Sequence, residues 1–227
     1  MDSVRLNKFL AERLGISRRE ADELIARGEV LVNEKPGVIG QRVDKSSKVC
    51  YNGRIVAFMP AYLYVALNKP EGYVCSRKQQ GEAPTIYAIL PKKYQELKTV
   101  GRLDKNSSGL ILMTNDGDFA FRMTHPKFYK DKKYIVTLDR ELEPLHQQMI
   151  ADFGIEIGDG VSKMGLVRLD ETRRKFEVTL HEGRNRQIRR TFLALGYKVE
   201  KLHRISFGEY ELAGLKPGEY VEIKIAK

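Results

Sequence analysis

The sequence predicts an α+β fold in two parts: a small N-terminal unit of two helices and a sheet (residues 1–58), and a larger unit (residues 59–227) built on a mostly antiparallel mixed sheet. Two observations predict this arrangement. Apolar residues recur at helical spacing near the N-terminus, whereas short strand-like runs dominate from residue 62 onward. Many of these runs are close enough along the chain to form hairpins, which favours antiparallel pairing. We expect residues 58–61 to link the two parts.

Two helices open the small part. The first is predicted from four apolar residues at helical spacing, which are Leu6, Phe9, Leu10 and Leu14. Gly15 ends it, because glycine adopts the left-handed backbone that follows a last helical turn. Ser17 and Glu20 then form an S-x-x-E capping box that begins the second helix, and Gly28 ends that helix.

Strands are predicted in both parts. In the small part, residues 30–32 alternate as a strand does, and Asn52-Gly53 between two alternating runs predicts a hairpin. In the larger part the predicted strands are residues 62–68, 100–103, 110–116, 132–138, 176–180 and 219–225. The predicted helices there lie around residues 85–90, 118–123, 143–153 and 185–195.

Composition narrows the functional classes. The chain has 40 Lys and Arg against 30 Asp and Glu, a net charge of +10, and the excess lies in both parts. A positive surface favours a polyanionic partner, most often nucleic acid. No apolar run is long enough to cross a membrane and no signal-peptide core is present, so we expect a cytoplasmic protein. Cys50 and Cys75 stand apart from each other and from the histidines, which predicts free thiols and no metal site.

One carboxylate stands out in the segment GRLDKNSSGL, residues 101–110, between two predicted strands. Arg102 and Lys105 flank Asp104, and nearby cations keep a carboxylate ionised, as a nucleophile or base requires. The same residues also suit an Asx turn in which Asp104 accepts hydrogen bonds from the amides that follow it. The residues alone leave both interpretations open.

A basic segment, EGRNRQIRR, covers residues 182–190. Its four arginines are Arg184, Arg186, Arg189 and Arg190. On a helical wheel Arg186 and Arg190 lie opposite the apolar Ile188 and Phe192, where they suit phosphates. Arg189 falls near the border between the two faces, from which a cation can point into a semi-enclosed site. The alternative is an amphipathic helix with a solvated basic face.

A tyrosine and a set of missing motifs complete the survey. Tyr134, near the start of a predicted strand, suits either stacking on a base or half-burial in a sheet. The sequence contains no P-loop, no dinucleotide-binding glycine motif, no G-x-S-x-G and no H-E-x-x-H. These absences disfavour nucleotide hydrolysis, nicotinamide chemistry, serine hydrolysis and zinc proteolysis.

Four segments resemble one known family, and their order and spacing along the chain agree with it. GRLDKNSSGLILMTNDG resembles the catalytic motif of pseudouridine synthases of the RsuA/RluB type. LNKPEGYVCS, residues 67–76, resembles the first motif of that family, and EGRNRQIRRTFLALGYKVEKLHR, residues 182–204, resembles the third. Ahead of them, RLNKFLAERLGISRREADELIARGEVLVN is similar to an S4-like RNA-binding domain. The resemblance covers nearly the whole chain.

This resemblance implies site-specific isomerisation of uridine to pseudouridine in ribosomal RNA or a ribosomal subunit precursor, by a monomer without metal or organic cofactor. It makes Asp104 the catalytic residue, which attacks ribose C1′ or uracil C6 or acts through a glycal. The uridine must first leave its stack, and Arg102 helps to hold it flipped out. Tyr134 matches the family tyrosine that stacks on uracil, and Arg189 matches the basic residue paired with the catalytic carboxylate.

Further RNA contacts are expected in both parts. The candidates are Arg184, Arg186 and Arg190 in the larger part and Lys8, Arg18, Arg19 and Arg27 in the small part. Phosphate contacts of this kind supply affinity rather than sequence choice, and each small-part candidate is equally compatible with a solvated surface charge. Two rival functions stay open: a non-catalytic RNA-binding or ribosome-assembly protein on the same fold, and the same chemistry on transfer RNA.

Overall fold

The computed structural model describes residues 3–57, 62–78 and 81–225. The chain divides into two compact units, one of residues up to 62 with Asn115–Gly117, and the other of Leu63–Thr114 with the residues from Asp118 onward. The predicted linker, residues 58–61, lies outside the described residues. Each unit has its own buried core.

The described residues of the small unit form two helices and six short strands. Their bounds are β1 Val4–Arg5, α1 Leu6–Leu14, α2 Arg18–Ala26, β2 Val30–Val32, β3 Lys35–Pro36, β4 Arg42–Val43, β5 Val49–Tyr51 and β6 Arg54–Ile55. Gly15 ends α1 with φ 71°, and the capping box of α2 is formed: Glu20 N donates to Ser17 Oγ at 3.1 Å and Ser17 N to a Glu20 carboxylate oxygen at 2.6 Å. The local signals for both helices are therefore confirmed.

A four-stranded sheet in the order β3-β2-β5-β6 packs with these helices, and β1 pairs separately with β4. The predicted hairpin joins β5 to β6. Asn52 and Gly53 take φ values of 48° and 72°, the two positive values that a type I′ turn requires. Leu6, Phe9 and Leu10 of α1 are buried in the core of this unit, as their helical spacing predicts.

The larger unit alternates strands with short helices. Its elements are β7 Tyr64–Lys69, β8 Lys98–Val100, β9 Ser108–Thr114, α3 Gly117–Thr124, β10 Lys132–Leu138, α4 Pro144–Gln148, β11 Ile155–Glu156, β12 Val161–Ser162, β13 Gly165–Arg168, β14 Lys175–Leu180, α5 Gln187–Ala194, β15 Val199–Phe207, β16 Tyr210–Glu211 and β17 Tyr220–Glu222. Three 3₁₀ turns cover Ile86–Ile89, Lys92–Tyr94 and Pro126–Phe128, and a π turn, Met149–Phe153, continues α4.

One mixed sheet organises this unit, with the order β13-β14-β10-β15-β9-β7-β17. All of its pairings in the described residues are antiparallel except that of β15 with β9. Alternate residues of β9 face opposite sides: Ile111 and Met113 enter one core cluster, and Leu110 and Leu112 enter another. Both faces are thus covered, the first by α5 and the second by α3. The predicted α+β class with a mostly antiparallel mixed sheet is confirmed.

The structure differs from the predicted elements in several places, and short strands such as β13 were not predicted. The strand predicted at 100–103 ends at Val100, and the helix predicted around 85–90 is a 3₁₀ turn. Residues 143–153 form an α-helix that widens into a π turn. The long strand β15 has no counterpart among the predicted strands. Its register against β10 shifts at two points, and such bulges break the alternation on which strand prediction depends.

No helix in the described part of the chain is both long enough and apolar enough to cross a lipid bilayer.

Candidate active site

The loop that carries Asp104 leaves the sheet where β9 changes neighbours. On the side of β9 away from β7, β8 pairs with Leu112 to Thr114, and β15 pairs with Ser108 and Gly109. Residues 101–107 connect β8 to β9 at this break. Gly109 permits the close approach of β15: its φ is +104°, and a Cβ there would lie 2.2 Å from the Arg204 carbonyl oxygen. The pairing of β8 and β15 with β9 therefore holds both ends of the loop that carries Asp104.

Lys69, the last residue of β7, anchors this loop from inside. Its side chain is fully buried, and Nζ donates to the carbonyl oxygens of Ser107 at 2.6 Å, Pro70 at 2.9 Å and Lys105 at 3.5 Å. Burial lowers the pKa of Lys69, and nearby negative groups, Asp104 among them, oppose that shift. Gly72 N also donates to the Lys105 carbonyl at 2.8 Å. Hydrogen bonds to main-chain carbonyls thus join the segment of residues 67–76 to the Asp104 loop.

Arg189, on α5, anchors the loop from the other side. Its guanidinium donates to the carbonyl oxygen of Asn106 at 2.6 Å, to that of Val199 at 2.7 Å and to Ser107 Oγ at 3.5 Å. Burial lowers the pKa of Arg189 and Arg186 adds to that effect, while Asp104 opposes it. The third motif is in this way tied to the Asp104 loop and to β15.

The ion pair of Asp104 differs from the one that the resemblance implies. Arg186 Nη1 lies 3.5 Å from Asp104 Oδ2, whereas the Arg189 guanidinium bonds the loop and β15. The Arg189 guanidinium bonds two carbonyl oxygens. The cation beside the Asp104 carboxylate is instead Arg186, which comes just before α5. Arg186 itself has a left-handed backbone, φ 48°, at the N-cap of α5. Arg186 therefore lies outside the helix, so its predicted position on the helical wheel is wrong.

Tyr134 and Arg204 lie side by side on paired strands. They are directly opposite in the β10–β15 register, and the Arg204 guanidinium carbon is 6.0 Å from the Tyr134 ring centroid and 5.0 Å from that of Phe207. Arg204 is buried and its Nε donates to the Leu110 carbonyl at 2.7 Å. One terminal nitrogen of Arg204 has no hydrogen-bond partner among the described residues. Arg204 therefore keeps one buried donor unsatisfied within the described residues.

Asp104, Tyr134, Arg186 and Arg204 line one cleft with a volume of about 360 Å³, whereas Lys69 and Arg189 are not among its lining residues. Within the described residues that line it, Asp104 is the one carboxylate. The five cations that line the same cleft are Arg102, Lys132, Arg184, Arg186 and Arg204. Burial lowers the pKa of Lys132, and the positive charge of Arg204 adds to that effect. A cleft of this charge attracts a phosphate backbone and brings a single carboxylate to it.

The arginines predicted to contact RNA in this unit differ in whether their guanidinium groups already bond other residues of the protein. Arg102 is exposed at the cleft and has no hydrogen bond or ion pair within the part of the chain described. Arg184 lines the cleft but is bonded to Glu182 and to the Asp159 and Val161 carbonyls. Arg190 lies outside the residues that line the cleft.

The guanidinium of Arg190 is held by the Asp159 carboxylate at 2.7 and 2.9 Å and by the Ile157 carbonyl. Its role in RNA binding stays a prediction.

In the small unit, two of the four residues predicted to contact RNA have no ion pair within the described residues. Arg18 and Arg19 are exposed in the first turn of α2, without an ion pair in the described residues. Lys8 lies 4.0 Å from Glu12, and Arg27 pairs with Glu29. Arg18 and Arg19 are therefore the freer phosphate donors of this unit.

Sequence reasoning gave no role to three residues of the site: Lys69, Lys132 and Arg204. A lysine that ends a continuous apolar strand, as Lys69 does in YVALNK, is a signal that could have singled it out, because a buried ammonium needs acceptors. Arg204 had no such signal, since its burial comes from pairing with distant strands. The described residues include no group of three or more His, Cys, Asp or Glu side chains placed to bind a metal ion, and Cys50 and Cys75 are free thiols.

Comparison with known proteins agrees with this geometry. The family model described as RNA pseudouridylate synthase matches residues 63–194, and the S4 domain model matches residues 4–37. The chain belongs to the RNA pseudouridylate synthase family. Its members are isomerases, and this one carries an S4 domain ahead of the synthase domain.

Relatives of full length support the assignment. The ribosomal small subunit pseudouridine synthase A of Pasteurella multocida is 38% identical over 96% of this chain and 94% of its own. The ribosomal large subunit pseudouridine synthase B of Bacillus subtilis is 35% identical over 96% and 91%. A crystal structure of a pseudouridylate synthase is similar over 98% of this chain and 96% of that one, with a TM-score of 0.69 and 32% identity.

Proposed function

We propose that this protein converts one specific uridine of ribosomal RNA to pseudouridine, with Asp104 as its catalytic residue. The observation that carries the proposal is that Asp104 is the one carboxylate among the described residues that line the cleft, where five cations surround it. A protein that only binds RNA has no use for an anion at the place where phosphates approach. A fixed carboxylate with one third of its side chain exposed remains accessible to a nucleotide that enters the cleft.

The reaction is an isomerisation, so atoms and electrons balance without an oxidant, reductant or second substrate. The N1–C1′ bond of the uridine breaks, the uracil turns, and a C5–C1′ bond forms. The hydrogen on C5 leaves as a proton, and N1 gains one. The Asp104 carboxylate drives the first step by attack on ribose C1′ or uracil C6, or by promoting a glycal intermediate; the proposal holds for each route.

The neighbouring side chains take separate roles in this proposal. The target nucleotide must be flipped out of its stack at a cost of a few kcal/mol, and the unpaired Arg102 at the cleft helps to hold it there. Tyr134 stacks on the uracil and assists proton movement. Arg189 acts as a positioning residue, because it bonds the Asn106 and Ser107 part of the loop and not the carboxylate.

Ribosomal RNA is the substrate class that the relatives favour, since the names of two of them specify ribosomal subunits. One name specifies the small subunit and the other the large, and the two sequence identities, 38% and 35%, are similar. The proposal therefore covers ribosomal RNA of either subunit. The S4 domain, with its exposed Arg18 and Arg19, adds phosphate contacts. We place the protein in the cytoplasm, where ribosomal subunits are assembled, and propose that it acts as a monomer.

Pseudouridine mapping of total RNA tests the proposal. Cells with and without the gene are compared, and the gene is restored as wild type or as Asp104→Ala. We expect one ribosomal RNA site to lose pseudouridine in the deletion strain and to regain it only with wild type. Loss at a transfer RNA position instead would assign the chemistry to that substrate. No change at any site would favour the non-catalytic RNA-binding protein and overturn the proposal.

A further inference from the structure

A cluster of exposed aromatic rings lies on α3 and on the turn that follows it, at the rim of the cleft. It consists of Phe121, His125 and Phe128, which we call the aromatic rim. The Phe121 ring centroid is 4.7 Å from that of His125 and 5.8 Å from that of Phe128. The exposed fractions of Phe121 and Phe128 are 46% and 36%, and His125 is exposed too. These rings contact one another but face solvent.

The core does not account for this cluster. Helix α3 already sends Phe119 and Met123 into the core, where they are 3% and 2% exposed. Phe121 lies on the outer side of the same helix, and Phe128 lies on the 3₁₀ turn that follows. Grouped, exposed aromatic side chains are uncommon on a protein without a partner at that surface. The rim therefore points to a ligand with flat, apolar faces.

Charge specifies the ligand further. Lys127 Nζ lies 5.1 Å from the Phe121 ring centroid and 4.8 Å from that of Phe128. Arg122 is exposed on the same segment, and no acidic residue occurs from Phe119 to Lys130. Aromatic faces combined with cations are the features that bind unpaired nucleotides, where bases stack and phosphates meet the cations. An acidic or strongly apolar partner would use only half of this surface.

The rim is continuous with the cleft. Thr124 and Pro126, which flank His125, both line the cleft that holds Asp104. An RNA strand whose uridine enters the cleft therefore has neighbouring nucleotides beside the rim. We propose that Phe121, His125 and Phe128 form a stacking site for the base of an unpaired nucleotide adjacent to the target uridine, with Lys127 on its phosphate. This inference rests on the proposed function and adds a binding site to it.

Lys127 has to leave the ring faces for a base to stack there. An exposed cation–π contact is weaker than the stacking of a base on an aromatic side chain. The ammonium regains a partner when it reaches the phosphate of the same nucleotide. The exchange is therefore favourable, and the flexible lysine stem allows it without a movement of the main chain.

The absence of tryptophan from the chain provides a direct test. Phe128→Trp introduces a single tryptophan into the rim, and Phe153→Trp introduces one at an exposed phenylalanine, 74% exposed, outside the segment. The probe is a single-stranded uridine oligonucleotide, compared with an abasic oligonucleotide of the same length. We expect the uridine oligonucleotide to quench Phe128→Trp and neither oligonucleotide to quench Phe153→Trp. Equal responses to both oligonucleotides at Phe128→Trp would overturn the stacking site.

Affinity variants separate a base from an apolar protein partner. Phe128→Ala and Phe128→Leu should both weaken binding of the uridine oligonucleotide about tenfold, while Phe128→Tyr retains it, because only a ring stacks. Circular dichroism checks the fold of each variant. Unchanged affinity in Phe128→Ala would overturn the inference. So would Phe128→Leu binding as tightly as wild type, which is the behaviour of an apolar docking surface.

Failure of this inference and failure of the proposed function give different results. If pseudouridine mapping detects no site that depends on the gene, the proposed function fails. If a site depends on the gene but Phe128→Trp is not quenched by the uridine oligonucleotide, the stacking site alone is wrong.

Discussion

Asp104→Asn should abolish turnover and leave the fold almost unchanged. The substitution keeps the shape and an acceptor oxygen of the side chain but removes its charge. Within the described residues that charge pairs with Arg186 at 3.5 Å, and the Asp104 and Arg186 side chains are 34% and 49% exposed. Ion pairs with such exposure contribute about 0–1 kcal/mol. The hydrogen bond that supports the loop, from Ser107 N to the Asp104 carbonyl at 3.1 Å, belongs to the main chain and survives.

The expected change in the free energy of unfolding is therefore below about 1 kcal/mol, a shift in Tm below about 4 °C for a protein of this size. Loss of the reacting group should lower the turnover rate at least about 10⁴-fold. Turnover is measured as tritium release from RNA labelled at uridine C5, because that hydrogen leaves as the C5–C1′ bond forms. RNA affinity, measured by filter binding, should stay within about threefold, the modest effect expected for removing one partner of an exposed pair.

A matched control is Asp159→Asn, which also removes a carboxylate paired with arginine but lies outside the cleft-lining residues. It should retain turnover. The reasoning fails if Asp104→Asn retains turnover, since another group must then react. It also fails if Tm falls by more than about 8 °C, because Asp104 would then have a structural role that its contacts do not predict.

Three further predictions concern the groups around Asp104 and the small unit. Lys69→Met should destabilise the protein by about 2–4 kcal/mol, since three carbonyls lose a charged donor. Because burial lowers the pKa of Lys69, the unfolded chain binds that proton more tightly than the folded chain does. The stability of wild type relative to the variant should therefore rise as the pH approaches the ordinary pKa of lysine. Thermal melts of both proteins from neutral to alkaline pH measure this difference, and a fall in the relative stability of wild type would contradict the prediction. Arg189→Ala should lower turnover more than RNA affinity, whereas Arg186→Ala should weaken RNA affinity and reduce the salt slope of RNA binding by about one. Single-turnover kinetics and salt titrations of binding measure the two effects. The reverse pattern would exchange the roles of the two arginines. Replacing Arg18 and Arg19 with Gln should reduce the salt slope by up to about two, and an unchanged slope would remove the first turn of α2 from the RNA contacts.

Local signals accounted for much of the fold. The end of α1 at Gly15, the capping box of Ser17 with Glu20, and the Asn52-Gly53 turn each depend on residues close in sequence. Interactions of this range are determined by backbone preference and by short hydrogen bonds, so they can be predicted from one sequence. The strand of residues 132–138 was likewise predicted at its observed bounds.

Contacts between distant segments could not be predicted in the same way. Strand β15 contains Glu200, Lys201 and His203, and its alternation is interrupted by bulges against β10. Its place in the centre of the sheet follows from pairing with β9 and β10, which are far away in sequence. The ion pair of Asp104 with Arg186 similarly depends on a left-handed N-cap. A helical wheel assumes helical backbone at each position and therefore misplaces such a residue.

The loop contacts explain why a charged side chain at this position is available for chemistry. Two cations hold the loop through its main-chain carbonyls: the buried Lys69 bonds those of Lys105 and Ser107, and the half-buried Arg189 bonds that of Asn106. These bonds surround Asp104 in sequence but do not use its carboxylate. Because the carbonyls fix the loop, the Asp104 side chain can change its interactions without a change in backbone position. Rigid placement of the backbone and a carboxylate held by one exposed ion pair, which a nucleotide can displace, are the combination that attack on a flipped nucleotide requires.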